Sequence, residues 1–168
     1  MTTIIGIDLS TTRTGLCVNG DTFSIEPPKK ATLLSKAMHV RDALRDWVMP
    51  ADLIIIEDYA TTYAKVAFSM GYLHCMLDEL LHESTVVVQK IPPASLKKWA
   101  VNHGNANKDM MLSAAIRAGS PANNNDEADA WWLWAMGRYI AGPPSRLTDT
   151  AYRIAVLDKL GITPGVKA

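Results

Sequence analysis

Cysteine is scarce in this 168-residue chain: Cys17 and Cys75 lie far apart and match no metal-ligand spacing, which argues against a disulfide scaffold or a zinc ribbon. Both read as buried, reduced thiols of a cytosolic protein. No apolar run approaches the roughly 20 residues that a membrane helix requires. The opening Met1-Thr2-Thr3-Ile4-Ile5 lacks a basic segment followed by a long apolar stretch, so no signal peptide is expected. A phosphate-cradling Gly-x-x-x-x-Gly-Lys loop is absent, as are internal repeats and low-complexity tracts. His39, His74, His82 and His103 form no ligand spacing. Net charge is absent too: 17 Lys and Arg balance 17 Asp and Glu. A nucleic-acid partner would therefore need a local basic patch rather than a basic chain.

What is present is the composition of an ordinary globular domain, 48% apolar and 20% charged, long enough for one sizeable core. Ile4 to Leu9 reads as a buried strand, Leu16 to Val18 as a second, and Asn19-Gly20-Asp21 as a hairpin turn into a third at Thr22 to Ile25. After Pro27-Pro28-Lys29-Lys30, helical spacing links Leu33, Leu34, Ala37, Val40, Leu44, Trp47 and Val48. Leu53 to Ile56 predicts a parallel strand apolar on both faces, closed by Glu57. A helix over about 64–82 is expected to turn Phe68, Leu73, Met76, Leu77 and Leu80 inward. A strand follows at Thr85 to Gln89. Short helices are expected from Pro93 through Trp99 and from Lys108 to Arg117. A last core helix runs from Asp126 to about Ile140, ended by Gly142-Pro143-Pro144. The tail suggests an amphipathic helix carrying Tyr152, Ile154, Val156, Leu157 and Leu160. The order predicts a mixed α/β fold, an antiparallel meander followed by parallel strands, flanked by helices. Residues 1–141 form the main domain, and 142–168 a helical extension of it.

Four carboxylates stand at the ends of elements. Asp8 ends the first strand and Glu57 the fourth, while Asp126 and Asp129 share a face of the last core helix three residues apart. Glu127 is rotated about 100° from Asp126 and is set apart from the group. Singly, each acid has a plainer explanation in turn chemistry or the helix dipole. Jointly, such a cluster repels itself unless cations or protons neutralise it. Hard divalent ions, Mg²⁺ or Mn²⁺, suit an all-oxygen donor set, and two of them support phosphodiester hydrolysis.

Gly6-Ile7-Asp8-Leu9-Ser10 with Thr14-Gly15, Ile54-Ile55-Ile56-Glu57, Ile91-Pro92-Pro93 through Lys97, Asn105 to Lys108, and Asp126-Glu127-Ala128-Asp129-Ala130 occur in the order and spacing of one family. Over about residues 3–140 the chain resembles the RuvC Holliday-junction resolvases, of the phage-encoded branch. The resemblance implies an RNase H-like fold with a five-stranded sheet. It also implies a homodimer that nicks four-way DNA junctions symmetrically, with two Mg²⁺ (or Mn²⁺) ions held by Asp8, Glu57, Asp126 and Asp129. Lys108 would stabilise charge at the scissile phosphate or position the attacking water; taken alone it is an ordinary solvated residue at a helix start. Roles in recombination and repair, in the cytoplasm of a bacterium or phage-infected host, follow from the same resemblance. The helix over Phe68 to Leu80 is the candidate dimer face. The aromatic that the family often places after its second acid has no secure counterpart, Tyr59 and Tyr63 being available. Trp131, Trp132 and Trp134 suit core or interface packing, with one ring left exposed, better than base stacking. Arg13, Lys29, Lys30, Lys65, Lys90, Lys97, Lys98 and Arg117 are candidate phosphate contacts.

Three other readings share parts of this pattern. Asp8-Leu9-Ser10-Thr11-Thr12 resembles the first phosphate loop of actin-like ATPases and sugar kinases, but those need two such domains. An RNase H-like nuclease acting on RNA would carry overlapping acidic motifs. A non-catalytic branched-DNA-binding protein would gain nothing from clustered acids facing phosphates.

Overall fold

A computed structural model describes residues 2–59, 64–82, 84–142 and 151–163. The β-branched and apolar runs become five strands: β1 (Ile4–Asp8), β2 (Thr14–Val18), β3 (Asp21–Ile25), β4 (Leu53–Glu57) and β5 (Val87–Ile91). They form one sheet in the order β3-β2-β1-β4-β5. β1, β2 and β3 make the expected antiparallel meander, and β4 pairs parallel with β1 and β5. Asn19 and Gly20 close the β2–β3 hairpin with positive φ angles of 53° and 100°. That backbone matches the right-handed twist of the strands it joins, and asparagine and glycine tolerate it best.

The helices are α1 (Leu33–Val48), α2 (Ala64–Leu81), α3 (Pro93–Val101), α4 (Lys108–Arg117), α5 (Asn125–Ala141) and α6 (Ala151–Lys159). Thr32, Asn107 and Asn124 start α1, α4 and α5 with side-chain caps that accept from the amides of Ser35, Met110 and Glu127. Strand alternation sends Ile5, Ile7, Leu16, Ile54 and Ile56 to one face, against α1 and α2. Ile4, Cys17, Leu53 and Ile55 go to the other, against α5 and the helices beyond it.

Several expectations from periodicity change in three dimensions. Phe68 points out, 69% exposed, while Leu73 and Leu77 of the same helix are buried. Trp47 and Leu34 are also exposed, because the sheet is covered by the narrower stripe Ala37, Val40, Leu44 and Val48. β5 begins and ends two residues later than its β-branched run suggests, because pairing of Leu53 with Val87 and of Glu57 with Ile91 sets its ends. Cys17 is buried but Cys75 is exposed; both are free thiols. Trp131, Trp132 and Trp134 are all buried, so none is left for stacking on bases. Along α6, Ile154 faces out and Arg153 faces in. The Arg153 guanidinium donates to the Trp99 and Ala100 carbonyls at 3.0 and 3.3 Å, at the C-terminal end of α3. It also lies over the Trp99 ring at 4.8 Å, so its buried charge is matched by carbonyl dipoles and an aromatic face. Tyr63 lies outside the described residues.

Candidate active site

Strand alternation places Ile4, Gly6 and Asp8 of β1 on the same face, and β4 does likewise with Leu53, Ile55 and Glu57. The parallel register aligns Ile7 with Ile56, so the next residues, Asp8 and Glu57, leave adjacent strand ends side by side. Both therefore point toward the layer occupied by α5.

α5 reaches them by lying directly on the sheet. A Cβ added to Gly6 would run into the Ala130 carbonyl and the Trp134 amide, and one added to Gly15 into the Asp126 carbonyl. Hydrogen at these two Cα positions lets a helix backbone touch a strand backbone. The start of α5 is then fixed by Glu127, which is buried against β3. Its carboxylate accepts from Ser24 Oγ at 2.6 Å, Thr22 Oγ1 at 3.2 Å, the Asn123 amide at 2.9 Å and Asn124 Nδ2 at 2.9 Å. Burial alone would raise the Glu127 pKa, but these donors together hold it below the ordinary value. Glu127 is thus a clamp, and its rotation away from Asp126 and Asp129 frees those two for the cavity.

The outcome is one cavity of about 270 Å³ lined by Asp8, Leu9, Ser10, Glu57, Pro93, Lys97, Lys108, Met111, Asp126 and Asp129. All five residues singled out in the sequence (Asp8, Glu57, Lys108, Asp126 and Asp129) face it. Lys97 joins them from α3, one helical turn after Pro93. In the sequence it closes the motif that begins at Ile91-Pro92-Pro93 and is otherwise one of eight basic candidates for phosphate contacts, with no site role assigned to it. Of the others, Lys90 pairs with Asp78 at 3.4 Å, and Arg13 reaches Asp126 at 3.7 Å. Tyr59 packs against the buried His74, with ring centroids 4.9 Å apart.

The acids carry the electrostatic signature of enforced proximity. Burial, then the charges of Glu57 and Asp129, push the Asp8 pKa well above its ordinary value. Burial raises Glu57 as well, opposed by its interaction with the neighbouring Asp8 carboxyl and by the ammonium groups of Lys97 and Lys108. Asp129 is pushed up to about 7, first by burial and then by Glu57, with Lys97 and Lys108 pulling the other way.

Does this donor set suit a metal? Among the described residues, no three acidic, histidine or cysteine side chains already stand as a cage for an ion. Asp129 Oδ1, however, is buried with no hydrogen-bond partner, an arrangement that costs free energy unless something else satisfies it. The acids facing the cavity offer only oxygen donors and share an excess of negative charge. That chemistry fits a hard divalent cation.

Stability should report the same competition. A carboxyl whose folded pKa is raised stabilises the fold fully below its unfolded pKa, and loses that contribution as pH rises through the folded value. For Asp129 the loss runs from about pH 4 to about pH 7. Metal-free protein is expected to lose thermal stability relative to Asp129→Asn between about pH 4 and about pH 7. Mn²⁺ should restore more stability at pH 8 than at pH 5, where protons compete for the same oxygens. Thermal melts of both proteins with and without Mn²⁺ measure this, and parallel pH profiles for the two would refute it.

The fold and site define a mixed α/β domain of RNase H-like fold with an acid-lined cavity at the C-terminal ends of β1 and β4. Two solved structures of Thermus thermophilus RuvC share this fold. One, in complex with Holliday junction substrate, matches 93% of this chain and 98% of its own with a TM-score of 0.67 at 13% identity. The other matches 96% and 98%, with a TM-score of 0.65 at 13% identity. No family model matches the chain, and no curated protein matches it in sequence.

Proposed function

We propose that the chain is a metal-dependent endonuclease that resolves four-way DNA junctions by paired, symmetric phosphodiester hydrolysis. The observation that carries this reading is the convergence of Asp8, Glu57, Asp126 and Asp129 with Lys97 and Lys108 in one cavity. Asp8, Glu57, Asp126 and Asp129 would hold two Mg²⁺ ions, with Mn²⁺ able to substitute. Bound there, such ions supply activation of a water and stabilisation of the leaving oxygen. The chain itself supplies the rest. Lys97 and Lys108 present ammonium groups to a phosphate entering the cavity and offset the charge it brings. Pro93 and Met111 line the cavity with apolar surface beside the acids. Glu127 and the glycine contacts keep α5, and with it Asp126 and Asp129, from drifting away from the strand ends.

The likeness to RuvC bound to a Holliday junction supports the substrate class, as do the ordered acidic motifs. Symmetric nicking needs two active sites, and a homodimer supplies them. The exposed Val66 and Phe68 on α2 give that dimer an apolar contact surface. Residues 1–141 act as the nuclease domain, and 142–168 extend it, in keeping with the docking of Arg153 onto α3. Among the described residues no helix is long and apolar enough to cross a membrane. The setting proposed is the cytoplasm of a bacterium or of a phage-infected host.

The test is cleavage of a synthetic four-way junction with Mg²⁺ and with Mn²⁺, beside a linear duplex, a replication fork and an RNA–DNA hybrid. Paired symmetric nicks confined to branched DNA are expected. Selective cutting of the hybrid would replace this reading with an RNA-directed nuclease. Junction binding without cleavage under either metal would leave only a binding protein.

A further inference from the structure

Arg13 lies in the turn between β1 and β2, where its guanidinium stands between two carboxylates. Nε donates to Glu26, just beyond β3, at 2.8 Å. Nη1 lies 3.7 Å from Asp126 Oδ2, beyond good hydrogen-bond distance but well within ion-pair range. Lys97 and Lys108 act on Glu57 and Asp129, whereas Arg13, which does not line the cavity, lies in ion-pair range of Asp126. The Asp126 side chain is 21% exposed and that of Arg13 is 42% exposed, so both can move without disturbing the core.

We propose that Arg13 is a placeholder cation for Asp126: it neutralises this carboxylate while no metal is bound, and yields it when a divalent ion arrives. Glu26 is the second half of the device. By holding Nε, it keeps the guanidinium from closing fully on Asp126 and gives it somewhere to remain when displaced. Arg13 is thus a positioning residue that sets metal affinity through Asp126. Once displaced, its guanidinium stands at the rim of the cavity, where an incoming phosphate can take the place of Asp126 as its partner. The inference rests on the proposed metal-dependent reading of the site.

Mn²⁺ binding to the full chain without DNA, measured by titration calorimetry, tests it independently of cleavage. Arg13→Gln is expected to tighten Mn²⁺ binding by about two- to fivefold, the scale of a half-exposed ion pair. Glu26→Gln, which frees Arg13 to commit to Asp126, should weaken binding by a similar factor. In an Asp126→Asn background, neither change should shift the affinity. Unchanged or weaker binding in Arg13→Gln, or tightening in Glu26→Gln, would overturn the placeholder role while leaving the metal site standing. Absence of Mn²⁺ binding in the wild type would remove both.

Discussion

Glu57→Gln is expected to lower metal-dependent junction cleavage by at least about a thousandfold while leaving junction binding intact. The substitution keeps the shape of the side chain and removes one of the negative charges facing the cavity. A thousandfold loss corresponds to about 4 kcal/mol of transition-state stabilisation, a reasonable scale for removing one charged ligand from a hydrolytic metal site. A drop in activity could also come from damage to the fold, but here the two causes predict opposite stabilities. Glu57 raises the pKa of both Asp8 and Asp129 by its charge, so neutralising it relieves repulsion. The variant should therefore melt at or above the wild-type temperature in metal-free buffer, and its Mn²⁺-induced stabilisation should shrink. Asp46→Asn, an exposed carboxylate on α1, should change none of these readouts. Full cleavage by a folded Glu57→Gln protein would sink the assignment of this cavity as the active site.

Gly15→Ala should be among the most destabilising single methyl additions in the chain. The new Cβ would meet the carbonyl carbon and oxygen of Asp126 and lie 3.1 Å from the Glu127 amide. These are backbone atoms of a helix start that Glu127 and Asn124 clamp onto β3, so no side chain can rotate away to make room. Either β2 or α5 must shift. Overpacking of this kind costs about 3 kcal/mol or somewhat more, which for a domain of this size lowers Tm by roughly 10 °C. Displacing α5 also draws Asp126 and Asp129 from the strand ends, so residual cleavage should fall even well below the melting temperature. Gly104→Ala is the matched control, because its Cβ would meet only the Ala94 carbonyl at an ordinary 3.4 Å. Thermal melts of the two variants in parallel measure the difference, and equal effects would show that the α5 contact is not tight.

The sequence by itself determined the order of elements and the presence of acids at their ends. Both are local properties. Alternation along Ile4 to Asp8 and Leu53 to Glu57, the Asn19-Gly20 turn and the three-residue step from Asp126 to Asp129 each involve neighbours in the chain, and the fold realises each of them. Glu127 could be set apart from the neighbouring acids by helical geometry alone, although the clamp it forms with Thr22 and Ser24 spans more than 100 residues. Tertiary structure decided whatever depends on contacts between distant segments. In the sequence Gly15 only precedes the second strand and belongs to a motif; the approach of α5 shows why a larger residue cannot stand there. Lys97 ends a motif in the sequence but gains a place beside the acids only when α3 packs near the strand ends and carries it into the cavity. Phe68 has the polarity of a core residue and the exposure of a surface one, because periodicity records which side of a helix is apolar but not what covers it. The ends of β5 and the inward turn of Arg153 follow the same rule: each was set by a partner strand or helix, and hydrogen-bond register and packing between elements leave no mark on a single sequence.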